Sequence, residues 1–304
     1  MIMVIGRILS YLLCTVTVTV YASASNGMDI SAIETHVNWR HLDRTSCGRT
    51  RYDDSKERII DGDEAKIGQF PWLARIGVQM ETVTLFSCAG SLLNRYYVLS
   101  AAHCGESHNV VRLGEHDIIT KEDCEDDVCV PPVQDINIEQ HYFFGYNTSS
   151  HLRDFQIILL QRPAIYNDFV KPVCLPYGHV LTKNFIGEAV KIAGWGYTDT
   201  KTLDLPEVLM YIVAPVLHRS TCNAVYKHPL DETQFCIGFK HERKDSCSGD
   251  SGAPVTKYMK ASEKRQHFQI AIVSYGLTVC GNGPAVYTNV LYYMPLILDQ
   301  IVKS

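Results

Sequence analysis

The chain has 304 residues, of which 46% are hydrophobic, 20% charged and 10% aromatic. That is enough apolar material for one large or two small cores, and it excludes a disordered tail or a coiled coil. The formal net charge is -5, with 28 basic residues scattered among 33 acidic ones, so there is no electrostatic footprint for nucleic acid or an anionic membrane.

In chain order, Arg7 precedes Ile8 to Tyr21, a largely apolar stretch broken by Ser and Thr, and Ala22-Ser23-Ala24 follows as an A-x-A cleavage site. The stretch is too short for a spanning helix, and no later segment approaches the roughly 18 uninterrupted apolar residues that one needs. Residues 1–24 therefore read as a signal peptide, with a retained anchor as the alternative, and the chain is expected to be secreted and extracellular. Residues 25–58 are polar and mixed in charge, carry turn formers such as Asn26-Gly27, and are too apolar-poor to fold alone. From Ile59 the texture changes to short strand-like runs between Gly, Pro and Asn, including Val110–Leu113, Ala189–Ala193 and Phe268–Ser274, which predicts an all-β sandwich or barrel. Only the end reads as helix, with Pro295 opening a turn and Leu298, Ile301 and Val302 on one face.

Of eleven cysteines, Cys14 lies in the leader, and the remaining ten are an even number. In an oxidising compartment that parity suggests five disulfides, whose connectivity the spacing does not assign. A zinc site is the competing reading, but no C-x2-C pair supports it.

Three separated segments carry the chemistry: Leu99-Ser100-Ala101-Ala102-His103-Cys104, Asp154 opening DFQIILL, and Asp245 to Pro254 reading DSCSGDSGAP. Together they resemble the chymotrypsin-like serine proteases, with 51 residues from His103 to Asp154 and 97 from Asp154 to Ser251 in that family's order. The resemblance spans residues 59–304. It implies an all-β fold of two six-stranded antiparallel barrels (trypsin-like), a C-terminal helix, and a site in the cleft between the barrels.

The resemblance assigns roles that chemistry explains. Ser251 is a poor nucleophile until His103 removes its proton, and Asp154 fixes the tautomer of His103 and stabilises the imidazolium that forms. The backbone N–H groups of Gly249 and Ser251 would form the oxyanion hole. Arg58, preceding Ile59-Ile60-Asp61-Gly62, looks like the family's zymogen junction, although Asp61 replaces a usual glycine. Cutting there would free an α-amino group on Ile59 to pair with Asp250; the bland alternative is that Arg58 is one more solvated linker charge. Asp245 and Ser246 would lie at the primary pocket, where a buried carboxylate selects Arg or Lys. Ser274, Tyr275 and Gly276 match the wall that pairs with substrate backbone. Ala285 stands where the family usually has a pocket glycine, and its extra methyl is expected to narrow the slot. Ala253 replaces the second glycine of GDSGGP as a packing variation.

Leu113-Gly114-Glu115-His116-Asp117, with Cys124 to Pro132 after it, resembles more narrowly the catalytic domain of arthropod CLIP-domain proteases of the easter and prophenoloxidase-activating type. This implies the pairs Cys124 with Cys129, Cys88 with Cys104, Cys222 with Cys236, Cys247 with Cys280, and Cys47 with Cys174, the last tethering residues 25–58 as a light chain. A CLIP knot is built on cysteines upstream of the linker cysteine, and residues 25–46 contain none, so the chain resembles the protease half without that module. Glu115, Asp117, Thr120 and Asp123 match the subgroup's calcium loop, with hard oxygen ligands suited to a structural Ca2+; a solvated acidic loop is the alternative. Asn147-Thr148-Ser149 is a glycosylation sequon seven residues before Asp154.

The expected function is a secreted zymogen that becomes an Arg/Lys-directed endopeptidase, acting by limited proteolysis in an extracellular immune, melanisation or developmental cascade. Its partners would be a protein substrate, an upstream trypsin-like activator and a serpin inhibitor. A digestive or venom protease is the nearest alternative. A pseudoprotease cofactor is the alternative from another class.

Overall fold

In a computed structural model of the chain, residues 28–52, 63–125, 127–196, 205–239, 249–261, 263–277 and 283–304 are described. Asp29 caps α1 (Ile30–Glu34), its carboxylate accepting from the Ala32 N–H at 3.0 Å, and a 3-10 turn over Val37–His41 follows. Then come β1 (Asp63–Glu64), β2 (Leu73–Gln79), β3 (Thr84–Leu92), β4 (Tyr97–Ser100) and β5 (Val110–Leu113). A small hairpin of β6 (Cys124–Glu125) and β7 (Val128–Cys129) precedes β8 (Gln134–Phe143), β9 (Gln156–Leu160), β10 (Ala189–Gly194) and β11 (Met210–Leu217). Short helix α2 (Arg219–Asn223) leads to β12 (Gln234–Ile237), β13 (Pro254–Lys260), β14 (Arg265–Tyr275), β15 (Ala285–Asn289) and helix α3 (Val290–Gln300).

Strands β2, β3, β4, β9, β8 and β5 close into one antiparallel barrel. The order β11-β10-β13-β14-β15-β12 forms the second, closed where Val216 and Leu217 of β11 pair with Ile237 and Cys236 of β12; β1 adds to β11. Closure leaves each barrel without the open edge that a short-stranded sheet would otherwise present. On the strands of the first barrel Ile76, Leu92, Val98, Leu99, Val111 and Ile158 are fully buried, each worth about 1.5 to 3 kcal/mol of burial. The one long polar side chain on β9, Gln156, is also buried, and its Nε2 donates to the Ala101 carbonyl at 2.8 Å. No helix among the described residues is long and apolar enough to cross a membrane.

Among the described residues four disulfides are present: Cys47–Cys174, Cys88–Cys104, Cys124–Cys129 and Cys222–Cys236. Cys247 and Cys280 lie outside the described residues. The first bridge spans 127 residues, for which loop-closure entropy contributes about 4 to 5 kcal/mol.

Two local expectations change. The closing helix does not start at Pro295: it begins at Val290, capped by the Asn289 side chain, which accepts from the Leu291 N–H at 3.0 Å, and Pro295 lies within it. Leu298 and Ile301 are buried as the periodicity requires, but Val302 lies beyond the helix and is 59% exposed. The polar stretch before the junction also acquires structure by docking on the barrels rather than by folding alone. Ile33 and Trp39 are buried in a cluster with Met294 and Leu298 of α3, and Trp39 Nε1 donates to the Ile33 carbonyl at 2.6 Å. Asn38 Nδ2 donates to the Leu298 carbonyl at 2.9 Å, and Gly48 exchanges backbone hydrogen bonds with Pro172 and His267 at 2.8 Å.

Candidate active site

His103 lies in a 3-10 turn over Ala102–Cys104, directly after β4, and Asp154 lies two residues before β9, the partner of β4. The pairing of Leu99 with Ile157 and Ser100 with Gln156 brings the two ends together. His103 Nδ1 is 2.8 Å from Asp154 Oδ2, and the His103 backbone N–H donates to Oδ1 at 2.8 Å. The carboxylate is fully buried, whereas the His103 side chain is 26% exposed. The Ser274 hydroxyl donates to Oδ2, and Thr288 Oγ1 donates to the Asp154 carbonyl at 2.8 Å. A buried carboxylate ringed by donors keeps the proton of His103 on Nδ1 and leaves Nε2 to act as a base.

Ser251 occupies the turn before β13. Its carbonyl accepts from the Ala89 N–H at 2.8 Å and lies 3.8 Å from Cys104 Sγ, so the Cys88–Cys104 bridge holds this turn beside the residue adjacent to His103. Gly252 makes the approach possible: at φ +84 a Cβ there would stand 2.3 Å from the Ala89 carbonyl oxygen. Gly249 has φ +107, and a Cβ would press on Gly196 Cα at 2.9 Å. Asp250, 9% exposed, accepts from the Gly196 N–H at 2.8 Å through Oδ1. A Cβ on Gly194 would meet Asp250 Oδ1 at 2.0 Å. The Gly194-Trp195-Gly196 segment therefore cradles this carboxylate.

Around the cleft, Ser274 turns its hydroxyl inward to Asp154 rather than toward a ligand. Tyr275 packs edge-on against Tyr226 at 5.4 Å and under His151 at 4.4 Å, and Gly276 is exposed. Ala285 and Ala253 are buried in the apolar cluster of the second barrel. Arg58, Ile59, Asp245 and Ser246 lie outside the described residues. Asn147 is exposed on the loop from β8 to β9, its Oδ1 accepting from the Ser149 and Ser150 N–H groups at 3.0 Å.

The expected cation loop is only partly drawn together. Asp123 accepts from the Asp117 N–H at 3.1 Å and from the Thr120 hydroxyl. Glu115 instead faces Arg112 at 3.0 Å and Arg75 at 3.7 Å, while Arg112 also grips Asp135 with two bonds of 2.7 and 2.8 Å. Burial pushes the Glu115 carboxyl up, and the two arginines oppose that rise. In this arrangement the Glu115 carboxylate is taken up by the two arginines, and among the described residues no group of three or more His, Cys, Asp or Glu side chains is placed to hold a metal ion.

Residues 59–297 match the family model described as Trypsin. The chain belongs to the trypsin family of serine proteases. The protease is 34% identical to "CLIP domain-containing serine protease HP8" of Bombyx mori over 265 residues, covering 81% of this chain and 70% of that one. It is 34% identical to "Phenoloxidase-activating factor 3" of Holotrichia diomphalia, covering 85% and 76%, and 31% identical to "Serine protease grass" of Drosophila melanogaster, covering 82% and 69%. The crystal structure of the Drosophila Grass clip serine protease of the Toll pathway matches at TM-score 0.75 and 30% identity, covering 86% of this chain and 77% of that one. The protease is accordingly a serine endopeptidase, a hydrolase with the two-barrel trypsin-like fold.

Several contributors were not singled out from sequence. Gly194 and Gly196 flank a tryptophan at a strand end, a pattern that signals close backbone approach without naming what approaches. Thr288 carries no local signal, because its partner, the Asp154 carbonyl, is 134 residues away.

Proposed function

We propose that the protease is made as a zymogen, is activated by cleavage after Arg58, and then cuts protein substrates after Arg or Lys. In this mechanism His103 takes the Ser251 proton as Ser251 Oγ attacks the scissile carbonyl carbon, and the carbonyl π electrons move to oxygen. The N–H groups of Gly249 and Ser251 hold that oxyanion. His103 then gives its proton to the leaving amine as the C–N bond breaks, and water repeats the sequence on the acyl-enzyme, restoring Ser251. Losing one oxyanion donor from such a site costs roughly a hundred- to a thousandfold in rate. The observation that carries this reading is the His103–Asp154 pair, 2.8 Å apart with its carboxylate fully buried, beside the turn that bears Ser251.

Activation is supported by chain geometry. Glu64 pairs with Met210, and Met210 pairs with Gly194, whose backbone lies against Asp250. Ile59 is five residues before Glu64, a span of up to about 17 Å when extended, against about 10 Å across two strand spacings. A new Ile59 ammonium thus has the reach to pair with Asp250. Asp245 would supply the charge that selects Arg or Lys, and Ala285 would narrow that pocket. Secretion agrees with residues 1–24 and the four disulfides. A cascade role, with an upstream trypsin-like activator and a serpin inhibitor, is favoured by relatives whose names include "Phenoloxidase-activating factor 3" and "Spaetzle-processing enzyme". Calcium on the 115–123 loop remains part of the proposal only if Glu115 leaves Arg112, and a calcium titration monitored by melting temperature tests it. A glycan on Asn147 would border the cleft.

The test is to cut purified zymogen after Arg58, verify the Ile59 terminus by mass spectrometry, and assay Arg and Lys peptide amides. Hydrolysis that follows cutting and disappears in Ser251→Ala is the expected result. Inactivity with a verified Ile59 terminus would overturn it in favour of a binding role.

A further inference from the structure

Behind the His103–Asp154 pair runs a chain of hydrogen bonds that the proposed mechanism does not use. Gln156, on β9 and two residues after Asp154, is fully buried. It pairs with Ser100 of β4 on one side and with Phe143 of β8 on the other, so it sits where three strands of the first barrel meet. Its Nε2 donates at 2.8 Å to the carbonyl of Ala101, the residue that caps the turn Ala102–Cys104 on which His103 stands. The amide thereby fastens the strand that follows Asp154 to the backbone that precedes His103.

The other end of this amide meets His141 of β8, whose Nδ1 is 2.8 Å from Gln156 Oε1. The two side chains are diagonal neighbours across the ladder, since His141 lies opposite Ile158 and Gln156 opposite Phe143. A carbonyl only accepts, so the Ala101 contact fixes the amide with Nε2 toward Ala101 and Oε1 toward His141, and we assign a ring proton to His141 Nδ1. The far edge of the ring is also placed: Nε2 is 3.0 Å from the His108 carbonyl oxygen, an acceptor that a second ring proton would serve. His108 is itself buried, and its Nε2 is 2.8 Å from the hydroxyl of Ser87, the neighbour of Cys88 in the Cys88–Cys104 bridge. Hydrogen bonds thus run from His141 through Gln156 to the carbonyl two residues before His103.

A buried amide is a costly side chain unless every polar atom is matched, and an apolar residue would fill the same place without partners. What the amide adds is direction. His103 must pass a proton from Ser251 to the leaving amine while its Nδ1 stays on Asp154, and a displacement of about 1 Å in such a site can cost about a hundredfold in rate. We propose that Gln156 and His141 are positioning residues for the hydrolysis, holding the His103 turn against Asp154 through the Ala101 carbonyl. Neither side chain touches the reacting atoms; both act through the backbone of residues 101–103. This inference rests on the reading of His103, Asp154 and Ser251 as the hydrolytic residues.

The experiment measures kcat and KM separately on an Arg peptide amide for the protease cut after Arg58, in the parent, Gln156→Met, His141→Phe and His141→Asn, with thermal unfolding of each. Gln156→Met keeps the length of the side chain but makes neither bond, leaving the buried Ala101 carbonyl without its donor. Its kcat should fall by about five- to a hundredfold, the cost of one such group, with KM changed by less than about twofold. His141→Phe leaves Gln156 without the partner that orients it and should lower kcat by about two- to tenfold, the size of one hydrogen bond. His141→Asn returns an N–H near the Nδ1 position and should restore kcat to within about twofold of the parent. Proton NMR supplies a readout independent of turnover. The His103 Nδ1 proton shared with Asp154 resonates downfield of the amides; it should shift or broaden in Gln156→Met and His141→Phe and return in His141→Asn. Lower melting temperatures in Gln156→Met and His141→Phe with kcat and this resonance unmoved, or a His141→Asn variant no better than His141→Phe, would overturn the inference while leaving hydrolysis by the parent intact. If Gln156→Met does not fold, the contrast between the two His141 variants decides. A cut parent that does not hydrolyse the amide overturns the reading of the hydrolytic residues, and the resonance still tests the positioning of His103 against Asp154.

Discussion

Gly196→Ala tests how the protease positions Asp250. A methyl at residue 196 would stand 2.5 Å from Asp250 Oδ2 and Cγ and 2.7 Å from Oδ1, so carboxylate and backbone must separate by roughly 1 Å to reach ordinary contact. That movement breaks the 2.8 Å bond from the Gly196 N–H to Oδ1, worth about 1.5 to 3 kcal/mol for a charged acceptor. Overpacking adds about 1 to 3 kcal/mol. Even the lower end, about 2.5 kcal/mol, shifts an equilibrium by about 60-fold. Because Asp250 immediately precedes Ser251 and follows Gly249, the loss should fall on the arrangement of the oxyanion donors. The assay is kcat/KM on an Arg peptide amide after cutting at Arg58, beside thermal unfolding. The expected outcome is a fall of about 60-fold or more in kcat/KM. Parent-like activity and melting in Gly196→Ala, or in Gly194→Ala where the contact is 2.0 Å, would refute the reasoning.

Further expectations follow from the same geometry. Ser274→Ala removes one hydroxyl from the buried Asp154 carboxylate and should lower kcat by about tenfold or more with little change in KM; an unchanged kcat would show that Ser274 does not support Asp154. Trp39→Ala deletes a side chain that is 6% exposed and packed edge-on against Tyr177, at about 3 to 5 kcal/mol, so differential scanning calorimetry should show melting lowered by about 6 to 20 °C. A shift under 2 °C would mean that residues 28–52 lie outside the cooperative unit. Burial holds His108, His116 and His151 below the ordinary 6.5, so the unfolded chain takes up their protons first as pH falls. Their contribution to stability is fully present above about pH 6.5 and is lost as pH drops through the lower folded values. Melting at pH 5 should therefore lie below melting at pH 7.5, and His108→Gln should reduce the difference; a higher melting temperature at pH 5 would contradict the burial argument.

The strands and the reacting residues were legible because their signals are local. Val110–Leu113 and Ala189–Gly194 form strands where apolar runs sit between turn residues, and β9, written QIILL, is buried along its whole length because its two faces are both covered. Four disulfide pairings implied by the family resemblance are present. The segment 28–52 was read only as polar, since Ile33 and Trp39 are spaced too sparsely to show a periodic face and find their core on α3. Pro295 misled the reading of the last helix: proline favours the first helical turn, yet here the buried contacts of Val290, Leu291 and Met294 outweigh the missing N–H. The direction of Glu115 was also out of reach, because Arg75 comes from β2 and meets it only when that strand pairs with β5, as Arg75 with Arg112, and the spacing of Arg112 three residues earlier does not say on its own that the two side chains join. His151 gave no sign of its contact with Tyr275, which lies 124 positions later on the other barrel.

The central claim is that Ser251, activated by His103 and Asp154 after cleavage at Arg58, is the nucleophile. Reaction with a serine-directed fluorophosphonate, followed by intact mass of the chain that begins at Ile59, tests it most directly. One phosphonyl group should add to the cleaved parent, mapped to Ser251, and none to Ser251→Ala or to the uncut zymogen. No labelling of protein with a verified Ile59 terminus, or equal labelling of Ser251→Ala, would contradict it.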